Sequence, residues 1–171
     1  MADDRNVRIM VKGVRGFTTK LRKRVLRASE AAARDVVGEI DYLFMDDSDE
    51  YPQWSANMHD GTGVAVLEDG AVRYKGIPTR RARGAQSYAG RKNIWGGRRL
   101  RDRLGTGLFA EKEGGVEIKL VSAVPYAWRI NAAGSKWGRG AGYFDKLSGL
   151  LLGWVKDALK AEGIKIGERN K

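Results

Sequence analysis

"FTTKLRKRVLRASEAAARDVVGEIDYL", Phe17–Leu43, is the stretch whose reading decides the fold. Phe17, Leu21, Val25, Ala28, Ala32, Val36, Ile40 and Leu43 follow one another at steps of three or four, which places them in one stripe along an α-helix. Arg22, Lys23, Arg27, Arg34 and Glu39 fall off that stripe, so the helix has one apolar face and one solvated face. Thr18 or Thr19 supplies a hydroxyl for the first turn. At ~1.5 Å per residue such a helix runs about 40 Å, long for a small domain. Acidic "DDSDE" (Asp46–Glu50) then opposes the C-terminal dipole, and Pro52 completes the stop.

The segments around this helix read as strands. "GVAVLEDGAVRYKG" (Gly63–Gly76) predicts two strands around a turn at Glu68-Asp69-Gly70. "GLFAEKEGGVEIKLVSAVPYAW" (Gly107–Trp128) predicts a second hairpin turning near Gly114-Gly115. In it Val116, Ile118 and Leu120 point to one face, and Glu117 and Lys119 to the other. Val121–Ile130 reads as a core strand bent at Pro125-Tyr126, with Trp128 in the core, and "NVRIMV" (Asn6–Val11) as an edge strand. A last helix is predicted over "GYFDKLSGLLLGWVKDALKAEG" (Gly142–Gly163), with Phe144, Leu147, Leu151, Val155 and Leu159 as its stripe and Gly163 at C′. The expectation is one α+β domain over residues 1–171. A long N-terminal helix and a C-terminal helix pack on one antiparallel β-sheet of about four to five strands.

Composition narrows the function classes. The chain has 171 residues, 42% of them hydrophobic, enough for a real core. It has no cysteine, which excludes disulfides, thiolate zinc sites and cysteine nucleophiles. The opening "MADDRNVRIM" lacks the basic start and apolar run of a signal peptide, and no stretch approaches a membrane span; a soluble protein with no membrane partner is expected. Of the net charge of +11, nearly all is local: Arg73–Gly105 holds eleven basic residues and one acid, Asp102. Such a stretch attracts phosphate polyanions or acidic protein surfaces, or serves only as a solvated face. With seven glycines between Gly76 and Gly107, residues 76–107 read as a Gly/Arg-rich extended loop or arm. Its Arg80, Arg81, Arg83, Arg91, Lys92, Arg98, Arg99, Arg101 and Arg103 are candidates to face a DNA channel or an acidic neighbour.

No catalytic constellation assembles. His59, the only histidine, sits in the turn-rich "SANMHDGTG" and reads as an exposed loop residue beside Asp60, with no nucleophile assigned to it. The serines occupy no nucleophile-elbow pattern. "DDSDE" lacks the ligand spacing of a calcium loop, and the glycines match no phosphate-binding fingerprint, so no metal or cofactor is expected. Arginines interleaved with Tyr88 and Trp95 suit nucleic acid, yet no RRM, KH, helix-turn-helix or zinc-finger signature accompanies them. Trp54 and Trp137 lie in turn-like stretches; with Trp95, Lys136 and Arg139 they are candidates for a subunit interface.

Three landmarks in order give the chain a family resemblance: "LRKRVLRASEAAARDVVGEI", "YPQWSANM" (Tyr51–Met58) and "VPYAWRINAAGSK". Together they resemble the neck and tail-completion proteins of tailed bacteriophages, the group that includes minor tail protein Z. Ala56 stands where that pattern usually has glycine, and Asn131 where it is often acidic. The resemblance implies a non-catalytic virion protein, assembled in the host cytoplasm, that forms a homo-oligomeric and usually hexameric ring between head connector and tail. Its implied neighbours are a head-closure or adaptor ring on one side and a tail terminator, tube or sheath on the other, with non-specific contact to DNA in the channel. A tail terminator or head-closure protein of the same neck is the nearest alternative. A basic nucleic-acid-binding domain is the alternative of another class.

Overall fold

The apolar stripe and its acidic stop produce helix α1, Thr19–Met45. Val25, Ala28, Ala32, Val36 and Ile40 are buried along it, while Lys23, Arg27 and Arg34 face solvent. The computed structural model describes residues 7–12, 19–45, 57–78, 96–106, 115–133 and 142–164. Helix α5, Tyr143–Ala161, buries Phe144, Leu147, Leu151, Val155 and Leu159 and lies along α1, so the two stripes meet in one core. Its end follows the expected glycine logic. Gly163 adopts φ +70°, its N–H donates to the Lys160 carbonyl, and the Ile164 N–H donates to that of Leu159. Ile164 then folds back onto the core, which completes a Schellman cap.

Strands β2 (Thr62–Glu68) and β3 (Ala71–Gly76) form the expected hairpin. Asp69 and Gly70 both take positive φ, the two-residue turn whose twist matches the strands. Strand β4 (Gly115–Ser122) pairs antiparallel with the other edge of β2, and β1 (Val7–Lys12) pairs antiparallel with the far edge of β4. The lateral order is β1-β4-β2-β3. Val64 and Val66 of β2 stand opposite Leu120 and Ile118 of β4, and all four join the core under α1. Gly76 allows the close approach: a Cβ there would lie 2.5 Å from both Val37 and Val64 methyl carbons. Beside it Tyr74 lies under the Arg34 guanidinium of α1, 5.4 Å from ring centroid to charge.

The hairpin turn is tied down by charge. Arg22 of α1 donates to Glu68 at 2.8 Å and to Asp69, and Arg73 donates to Glu68 at 2.9 Å. The Gly115 N–H donates to the Asp69 carboxylate at 2.9 Å, so the start of β4 is held to the same turn. The Arg22 guanidinium, helped by that amide, keeps the Asp69 carboxyl below the ordinary range.

Two expectations are corrected. The arm does not run extended to residue 107: Gly96–Thr106 form helix α3. Leu100 and Leu104, four residues apart, are buried against Ala65, Leu67 and Val121, the side of the sheet away from α1. The sheet is therefore covered on both faces. Glu117 and Lys119 share that second face and are themselves buried, with Nζ and Oε1 3.7 Å apart. Residues 79–95 of the arm lie outside the described residues.

The second correction concerns Val121–Ile130. The strand ends at Ser122, residues 125–126 turn, and Ala127–Ala133 form helix α4. The Ala127 N–H donates to the Val124 carbonyl across Pro125, whose fixed φ suits the first turn of a helix better than a strand interior. Trp128 is consequently 44% exposed, not a core residue, and lies beneath the Arg129 guanidinium.

Candidate functional site

Helix α3 carries four of the nine arm residues singled out in the sequence. With Leu100 and Leu104 turned inward, the 100° step of a helix sends Arg98 to the outer side and Arg99 and Arg101 to the flanks. All three are exposed, whereas Arg103 is half-buried beside the leucine line. Gly63 makes the seat: a Cβ there would meet the Gly76 carbonyl at 2.5 Å and Leu100 at 2.9 Å. Lys75 is exposed and stands opposite Ala65 in the register, on the same side of the sheet as α3. The remaining arm candidates Arg80, Arg81, Arg83, Arg91 and Lys92 lie outside the described residues. So do Trp54, Trp95, Lys136, Trp137 and Arg139 of the expected interface.

Among the described residues the large exposed hydrophobic side chains are Tyr42 at 60%, Trp128 at 44% and Leu152 at 45%. Leu152 is on α5 and Trp128 on α4, which packs against α5. Sequence reasoning placed Trp128 in the core because it sits inside an apolar run, whereas Leu152 lies off the stripe named for the last helix.

His59 was expected to be exposed, and here the structure differs most. It lies on the single turn α2 (Asn57–Asp60), packed between α1 and α3, and is 1% exposed. Its Nε2–H donates to Asp41 Oδ1 of α1 at 2.7 Å, and its Nδ1–H donates to Asp60 Oδ1 at 2.7 Å. With a carboxylate facing each ring nitrogen, the doubly protonated ring is the form that satisfies both contacts. Burial opposes that charge, but the hydrogen bonds and field of Asp60 and Asp41 overcome it, and the pKa is raised above its ordinary value. The carboxylates approach from opposite sides of the ring and do not converge. Among the described residues no group of three or more His, Asp or Glu side chains is arranged to hold a metal ion. With both nitrogens engaged, the cluster ties the end of α1 to α2. The pairing of Asp41 with His59, eighteen residues apart, left no local signal in the sequence.

A second polar group closes the same end of the sheet. The Tyr143 hydroxyl is buried facing Ser122 and Thr62, which stand opposite each other on β4 and β2, and burial pushes its pKa up. The Thr62 hydroxyl also donates to the Met58 carbonyl of α2 at 2.7 Å. Beside it Asn131 of α4 caps α5: its Oδ1 accepts from the Phe144 N–H at 2.7 Å, and its backbone carbonyl accepts from the Gly142 N–H at 2.8 Å. The residue singled out in the sequence because that position is often acidic is thus a cap supplied from a neighbouring helix. No helix among the described residues is long and apolar enough to cross a membrane. Comparison with known proteins returned no matching family model, no matching curated protein and no matching solved structure.

Proposed function

We propose that this chain is a structural protein of the neck of a tailed bacteriophage, a subunit of a hexameric ring that joins the head connector to the tail. The observation that carries the reading is the presence of two unlike surfaces on opposite sides of one sheet. On one side α5 and α4 expose Leu152 and Trp128; on the other α3 exposes arginines. Closed rings need such a pair, because head-to-tail contact joins two different patches of each subunit. The order of landmarks in the sequence supports the same reading, and so does the engaged, solvent-excluded state of His59, the single histidine of the chain. In this reading the chain catalyses nothing and binds no cofactor. It contacts head-closure or adaptor and tail terminator, tube or sheath proteins, sits in the virion neck, and is assembled in the host cytoplasm. The finer parts of the reading are a sheet of four to five strands and a long basic loop or arm within residues 76–107. Trp54, Trp95, Lys136, Trp137 and Arg139 then belong to the ring contacts.

The test is electron microscopy of particles assembled without this protein. Detached DNA-filled heads and finished tails are the expected result; intact infectious particles would overturn the assignment. A basic nucleic-acid-binding domain is the second reading, favoured by the outward arginines of α3.

A further inference from the structure

We infer that the outer face of α3, together with Lys75 of β3, is a sequence-independent seat for the phosphate backbone of duplex DNA. The inference deepens the neck reading by naming what passes against this side of the subunit. It rests first on rigidity. Leu100 and Leu104 are buried in a cluster with Ala65, Leu67 and Val121, and partly buried Val72 and Ile77 pack against it. The arginines are therefore presented from a docked helix, and a phosphate ligand does not have to order the backbone that carries them.

Availability is the second ground. Arg98, Arg101 and Lys75 are exposed, and among the described residues none of them has an acidic partner. Arg99, Asp102 and Arg103 carry contacts of their own, so no phosphate contact is assigned to them. By contrast Arg22 and Arg73 are paired with Glu68, and Arg24 and Arg27 with Glu162.

The choice between a phosphate backbone and an acidic protein follows from what this face lacks. A stable protein interface has a desolvated apolar centre, with aromatic or aliphatic anchors inside a polar rim. The apolar side chains of α3, Leu100 and Leu104, are both turned inward, so among the described residues its outer face carries no apolar anchor. A phosphate backbone needs only cations and donors, and guanidinium matches phosphate oxygens in a bidentate manner. Asp102, exposed near the crown of the helix, makes burial of α3 in a groove between two phosphate rows costly, so the contact is with backbone and not with base edges.

The test is fluorescence anisotropy of the full chain with two duplexes of unrelated sequence. Binding is expected in the non-specific range, about 10⁻⁴–10⁻⁶ M, and equal for both duplexes. Three phosphate contacts give a log–log salt slope of about −2.7, so affinity falls at least about 40-fold from roughly 50 to 200 mM salt. Arg98→Gln with Arg101→Gln should flatten the slope by about two, while Arg98→Lys with Arg101→Lys keeps it. Lys20→Gln with Lys23→Gln, two exposed cations on α1 across the sheet, should leave it unchanged. Far-UV circular dichroism confirms that each variant is folded. The inference is overturned by an unchanged slope in the α3 glutamine variant, by absence of salt-dependent binding, or by displacement of duplex by polyglutamate at equal charge. Sub-micromolar binding that depends on sequence also overturns it. Failure here leaves the particle phenotype untouched, so the neck assignment and the DNA seat fail separately.

Discussion

Replacing His59 with alanine removes the centre of a buried polar cluster. The ring is 1% exposed and donates two hydrogen bonds of 2.7 Å to carboxylates. Hydrogen bonds to charged groups contribute about 1.5–3 kcal/mol each. Against this stands the desolvation of the imidazolium, while the substitution leaves the Asp41 carboxylate buried without its cation. Breaking a buried pair from one side costs about 3–5 kcal/mol. For a chain of this size that corresponds to a fall in melting temperature of about 6–20 °C. Asp60→Asn should cost less than Asp41→Asn, because the Asp60 side chain is 26% exposed against 12% for Asp41. The folded pKa of His59 is raised, so the stabilisation is complete below the unfolded value of about 6.5 and is lost as pH climbs through the folded value. A neutral ring carries a single N–H and can satisfy only one carboxylate. Thermal melts followed by circular dichroism at about pH 6 and about pH 9 check both parts. The gap between wild type and His59→Ala should be wide at the lower pH and narrower at the higher. A gap under about 2 °C at the lower pH, or one that does not change with pH, refutes the reasoning.

Two further substitutions probe how the elements are joined. Asn131→Ala removes the acceptor for the Phe144 N–H at 2.7 Å and should cost about 1 kcal/mol, read as a lowered urea midpoint with an unchanged slope. Gly63→Ala puts a methyl 2.5 Å from the Gly76 carbonyl and should destabilise by about 1–3 kcal/mol; adding Leu100→Ala should not rescue it, since the nearest obstacle is backbone.

Periodicity made some elements plain. The α1 and α5 stripes, the Asp69-Gly70 turn and Gly163 at C′ each rest on a physical rule contained within a few residues, and each appears where that rule puts it. Helix α3 was obscured because only Leu100 and Leu104 are apolar among its arginines, and glycines stand at both ends. Their spacing of four, together with the good helix propensity of arginine, was the signal that could have found it. Helix α4 was hidden by its own composition, since Val-Pro-Tyr-Ala-Trp-Arg-Ile reads as strand when the turn at Pro125 is taken for a bend.

The sequence by itself determined the long amphipathic helix, the first hairpin, the terminal helix and the concentration of positive charge. All follow from local spacing and from chemistry that does not depend on distant residues. Only the tertiary structure decided that β4 lies between β1 and β2, that α3 closes the second face of the sheet, and that His59 is buried between Asp41 and Asp60. These depend on contacts between segments far apart in the chain, where folding buries the histidine and brings a distant carboxylate to it.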